Sequence, residues 1–325
     1  MLKNYFLPSK TDSVYLNEKI YKKLIESLSE LAQADNSIEY KINDIIDQLC
    51  KKKASSLTIA PLCYAFYYRL GFCLLNNDIN DAHFIINEFF DFVSKSIFHK
   101  NLIVEAWCEL TPHKNIYLAS LGEHSGYLLR DVSGKDFSLY NAALLNEIKR
   151  VKDYYPSFYE EISCLLKQVI IVNSDTRSKP FLGMSPIQLW RSIFVNISMC
   201  SSKISILETL IHEASHTYLF AQSYLTPLTK NNKDELYYSP LRNCERPIEG
   251  IYHAMFVSAR VAYCLFQMYN AGAFYGSEET AAQDAIKRNI RQFFACESVV
   301  MKHAALSCLG KRVLRHTSEA VDIIV

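Results

Sequence analysis

Apolar residues recur at spacings of three and four along most of this chain, the period of helices that bury one face. Leu16, Ile20, Leu24, Ile25, Leu28 and Leu31 form one such stripe, and Ile42, Ile45, Ile46 and Leu49 a second. Residues 60–75 are dense in aromatic side chains, among them Tyr64, Phe66, Tyr67, Tyr68 and Phe72, which read as core rather than as a ligand cradle. Residues 82–98 read as a further amphipathic helix, so the pattern is helical from about residue 14 to 125, without a repeat of fixed period. Turn-forming residues then gather over 121–135, at Gly122, Gly126, Ser133 and Gly134, the best place for a connection between two halves.

Beyond it, helices are predicted near 141–154 and from Pro156 to about residue 167. The β-branched run 169–172 and the segment 192–198 read as two short strands, separated by the turn chemistry of Pro180, Gly183 and Pro186. They lead into a helix over 205–222, where Ser205 and Glu208 have the spacing of a capping box. Leu207, Leu210, Ile211, Ala214, Tyr218 and Leu219 give that helix a broad apolar surface. Pro247 suits the start of another helix, and residues 251–266 are apolar nearly all round, the mark of a buried element. Residues 277–325 read as two more helices, with Gly310 breaking the pattern.

Composition narrows the class. Half of the 325 residues are hydrophobic, 21% are charged, and Gly and Pro number nine each, as in a helix-rich globular protein. A net charge of +1 gives no reason to expect nucleic acid or a membrane surface as partner. No run of about 18 apolar residues occurs to span a bilayer. The opening MLKNYFLPSK breaks at Pro8 before an apolar run develops, which argues against a secretory leader. The ten cysteines form no C-x-x-C pair and fit reduced thiols in a cytoplasmic protein.

The helix over 205–222 carries His212-Glu213-Ala214-Ser215-His216. Histidines four apart stand one above the other on a helix, where both imidazoles can reach one metal ion. The bland reading is a pair of core histidines satisfied by carbonyl groups. A catalytic metal usually takes three protein ligands, and both Glu249 and His253 lie on one face of the next helix as candidates for the third. Arg260, two turns beyond His253, sits in the apolar segment and needs an anion. Either a distant carboxylate supplies it, or Arg260, Arg242 or Arg246 receives the carboxylate of a bound small molecule in bidentate fashion. His83, His99, His113 and His124 show no ligand spacing, and His303 and His316 read as structural or solvated.

The set Leu210-Ile-His-Glu-Ala-Ser-His216, Tyr238-Ser-Pro-Leu-Arg242, Arg246-Pro247 and Gly250-Ile-Tyr-His253 through Arg260 resembles the HExxH-motif peptide-modification proteins, regarded as 2-oxoglutarate-dependent peptide β-hydroxylases of ribosomal peptide biosynthesis. The resemblance covers about residues 145–325. It implies iron(II) held by His212, His216 and His253, with Glu213 beside the metal as a hydrogen-bonding or proton-handling partner. The candidate cosubstrate-binding residues are Ser239, Arg242, Arg246 and Arg260. A precursor peptide bearing a leader would be the substrate.

The expected architecture is α+β and mostly α-helical. A helical region over 1–135 would bind substrate or leader peptide. Residues 136–325 would form an HExxH metal-binding catalytic domain with a small β-sheet. Two other functions compete. One is a zinc peptidase with Glu213 as general base and Glu249 as third ligand. The other is a non-catalytic peptide-binding protein. Imidazole suits iron and zinc alike, so the metal is open on residue type alone.

Overall fold

The stripes at three and four become helices with those residues inside. In the computed structural model, which describes residues 4–34, 36–51, 59–96, 101–108, 111–122, 126–200 and 202–325, α1 (Lys10–Ala34) buries Leu16, Ile20, Leu24 and Leu28, and α2 (Asn36–Lys51) buries Ile42, Ile45 and Leu49. His99 and His124 lie outside the described residues. Proline opens α3 (Pro61–Leu75), where its missing N–H costs nothing. Asp78 caps α4 (Ile79–Lys95) by accepting from the Asp81 amide at 3.1 Å. Phe66 of α3 stacks on Phe89 of α4 with ring centroids 5.1 Å apart. Of the aromatic cluster, Tyr64 and Phe66 are core, whereas Phe72 is 52% exposed.

The stretch expected to be wholly helical also holds β1 (Ile103–Ala106) and a short α5 (Lys114–Ser120), and β2 (Leu129–Arg130) falls in the expected connection. Then come α6 (Gly134–Tyr154), α7 (Pro156–Leu165), β3 (Gln168–Ser174), β4 (Gly183–Met184), a 3-10 turn at Ile187–Leu189, and β5 (Ser192–Asn196). The strands form one sheet in the order β1-β3-β5-β4, with β2 also paired to β3. β3 runs parallel to both β1 and β5, setting Ile170 between Glu105 and Phe194. Gln168 to Val172 and all of β5 are buried, as parallel strands covered on both faces should be, and so they read as apolar runs.

The last third is helical around one hairpin: α8 (Lys203–Ser223), β6 (Leu236–Ser239), β7 (Cys244–Pro247), α9 (Ile248–Asn270), α10 (Ser277–His303) and α11 (Cys308–Val321). The fold is therefore α+β and mostly helical. α9 packs against α8, α10 and α11, which is why it is buried nearly throughout. No helix among the described residues is long and apolar enough to cross a membrane, and all ten cysteines are free thiols.

The chain divides into two compact units, neither of them one continuous stretch. One unit combines the chain up to Asp12 with Ser138–Ile162 and Cys200–Val325; the other combines Ser13–Phe137 with Ser163–Met199. The two strands expected to accompany the HExxH helix thus belong to the second unit, because their hydrogen bonds join them to β1 and β2. In the first unit the initial segment is pinned in place. The Tyr5 amide donates to His316 Nδ1 at 3.1 Å, Gln222 Nε2 donates to the Tyr5 carbonyl at 2.9 Å, and the Phe6 ring meets Phe256 edge-on at 5.6 Å.

Two local expectations change. The cap of α8 is Ser202, whose Oγ accepts from the Ser205 amide at 3.0 Å while Ser205 Oγ accepts from the Ser202 amide at 2.9 Å. Ser205 thereby takes the role assigned to Glu208, whose carboxylate instead accepts from Arg288 and Asn289. Gly310 does not end a helix. It lies in the first turn of α11, where a Cβ would sit 2.1 Å from the Leu228 carbonyl oxygen. Gly310→Ala is expected to lower stability by about 1–3 kcal/mol through that clash. A shifted urea midpoint at constant slope would show it, and an unmoved midpoint would mean the two segments part freely.

Candidate functional site

The site is built by two helices of the first unit. α8 buries Leu207, Leu210, Ile211, Ala214, Tyr218 and Leu219 and leaves His212 and His216 half-buried, one turn apart, with ring centroids 4.9 Å from each other. α9 brings His253 to the same place. Its ring stacks on His216 at 5.6 Å and 18°, and the two Nδ1 atoms are 3.4 Å apart. Phe220 lies against both rings, at 5.9 Å from His216 and 4.8 Å from His253.

Burial governs the protonation of this cluster. It pushes His253 down to about 4, and with the nearby Arg242 charge it pushes His212 to about 4 as well. His216 is held well below the usual histidine range by burial, then by the other two rings and Arg242. All three imidazoles are therefore neutral at pH 7 and offer lone pairs to a metal without first losing a proton. Glu213, beside His212 on α8, is 4% exposed.

The two candidates for a third ligand are treated differently. Glu249 Oε2 accepts a 2.6 Å hydrogen bond from Thr229 Oγ1, and Oε1 stands 4.0 Å from His253 Nε2. The imidazole of His253, not the carboxylate of Glu249, is the group that meets His216.

The arginines separate too. Arg260, fully buried, pairs with the equally buried Glu161 of α7, 99 residues away. Glu161 also accepts from the Ser9 amide at 3.2 Å. Tyr218 covers the guanidinium at 4.5 Å from the ring centroid, and Phe6, Phe158 and Phe256 stand at 5.8–6.0 Å. The Glu161 charge keeps Arg260 firmly protonated against its burial. The anion that Arg260 needs is thus internal, and the structure corrects the reading of Arg260 as a ligand anchor. Arg246 is exposed on β7. Arg242, in the turn between β6 and β7, is the arginine whose charge reaches His212 and His216. Ser239, at the start of that turn, is 1% exposed and its Oγ has no hydrogen-bond partner among the described residues. An orphaned buried hydroxyl is costly, and a polar ligand would satisfy it.

The trio suits a metal in chemistry and proximity. The His216 and His253 Nδ1 atoms lie 3.4 Å apart, within hydrogen-bond reach of each other. Among the described residues, no group of three or more His, Cys, Asp or Glu side chains has its donor atoms converged to hold an ion as they stand.

Glu161, Thr229 and Phe220 carry no motif in the sequence. The need for an anion near Arg260 was the one signal pointing to Glu161, without a position. Comparison of the chain with protein-family models and with curated proteins returns no match.

Proposed function

We propose that this chain is an iron(II)- and 2-oxoglutarate-dependent hydroxylase acting on a side-chain β-carbon of a peptide. One observation carries the reading: Arg242 lies close enough to two of the three imidazoles, His212 and His216, to disfavour their protonation. A cation held there is suited to a small carboxylate, and Ser239 in the same turn has a hydroxyl to donate. Bound iron(II), with the 2-oxoacid and O2, would supply the oxidising power that turns C–H into C–OH while the 2-oxoacid becomes succinate and CO2. His212, His216 and His253 would hold the ion, and Phe220 shields the His216 and His253 rings from water. Arg242 and Ser239 would orient the cosubstrate carboxylate. Glu213 would accept or return a proton beside His212. The peptide and the choice of β-carbon rest on the motif resemblance.

Iron(II) added anaerobically with 2-oxoglutarate should give a visible metal-to-ligand charge-transfer band, and Arg242→Ala should lose it at equal iron content. Iron-loaded protein without a band would sink the reading. The zinc peptidase is the second reading, favoured by the buried Glu213 of HExxH. It needs Glu249 on the metal, so Glu249→Gln would abolish metal binding and His253→Ala would spare it. The hydroxylase reading expects the reverse.

A further inference from the structure

We infer that Thr229 and Glu249 form a positioning relay that fixes the tautomer of His253, placing its proton on Nε2 and its lone pair on Nδ1, toward His216. The inference rests on the reading of His253 as a metal ligand and adds how the chain prepares that ligand. The two ring nitrogens of His253 face different neighbours. Nδ1 is 3.4 Å from His216 Nδ1, the neighbour with which it would share an ion on the proposed reading. Nε2 is 4.0 Å from Glu249 Oε1. A carboxylate on that side favours a proton there, and shortening the contact by about 1 Å makes it a hydrogen bond of ordinary length.

Glu249 is itself held. Thr229 Oγ1 donates to its second oxygen at 2.6 Å, so the carboxylate is anchored from the side away from the ring. Glu249 and His253 are one turn apart on α9, so the helix sets their spacing. A neutral imidazole has one proton to place on one of its two nitrogens. The same contacts admit an opposite state, in which Nδ1–H donates to His216 and no lone pair faces the ion. The relay decides between the two. Ligand histidines whose far nitrogen is held by a carboxylate bind metal more tightly, and loss of that partner commonly costs 10–100-fold in affinity.

The test is histidine 15N NMR on the metal-free full chain at neutral pH, with His253→Ala to assign the ring. The Nε2–H tautomer is expected in the wild type and in Glu249→Gln, which keeps an acceptor oxygen. It should be lost or mixed in Glu249→Ala, and Thr229→Val should move it the same way should the alanine variant not fold. An Nδ1–H ring in the wild type, or no change on removing the carboxylate, overturns the inference. Cobalt(II) titration gives the second readout: Glu249→Ala should bind 10–100-fold more weakly with the same ligand-field bands. Altered bands would make Glu249 a ligand and overturn the relay. Wild type that binds no cobalt defeats the metal reading alone, because the tautomer is measured without metal.

Discussion

Glu161→Ala should remove about 3–5 kcal/mol of folding stability, the usual cost of stranding one member of a buried ion pair. The guanidinium of Arg260 would remain charged and buried inside a ring of Tyr218, Phe6, Phe158 and Phe256. Urea unfolding of the first unit measures the loss. A change below about 1 kcal/mol would mean that Arg260 has another anion and that the pairing is incidental. Replacing both partners, as Glu161→Leu with Arg260→Met, should recover most of the stability, since an apolar pair of similar volume is often neutral or better. That double variant also isolates Arg260 from ligand binding. It should keep the charge-transfer band that Arg242→Ala loses, and a missing band in well-folded double variant would return Arg260 to the cosubstrate.

The second large effect is acid sensitivity of the metal-free protein. His212 and His253 sit at about 4 in the folded chain and near the ordinary 6.5 once unfolded. Between those values the unfolded chain binds more protons, so stability is whole above pH 6.5 and falls as the pH drops toward 4. Each group contributes about 3 kcal/mol of that loss, and His216, also lowered, acts in the same direction. Buried Glu147 and Glu161 have carboxyl groups raised by burial and run the other way. The histidine share is therefore read by difference. Urea midpoints from pH 7 to 4 should fall less steeply for His253→Leu than for wild type, and parallel curves would show that His253 stays protonatable in the fold.

Much of this was legible in the sequence where one segment decides its own structure. Helical stripes, Pro156 at a helix start, and HExxH on a buried helix all depend on neighbours within a few residues. β1 was not legible, because four half-exposed residues at a sheet edge carry no period long enough to compete with a helical reading. Ser202 was overlooked as the cap because Ser205 fits the same motif, and the sequence does not say which serine the chain enters through. The site divides in the same way. His212 and His216 are placed by helix geometry, and His253 by its position after Pro247. The fate of Arg260 depended on Glu161, and the claim on Glu249 depended on Thr229. Both partners are supplied by the fold, at separations where the order of residues is silent.

The pinned initial segment has a consequence for biogenesis. Tyr5, Phe6 and Ser9 are made long before their partners Glu161, Gln222, Phe256 and His316. During synthesis these contacts cannot all form until His316 has emerged, whereas Ser13–Phe137 needs only Ser163–Met199 to complete its unit. The HExxH unit is thus completed after the other one. A fragment begun at residue 136 would lack the amide of Ser9 and the ring of Phe6 beside the Glu161–Arg260 pair, and so would lose part of its own interior.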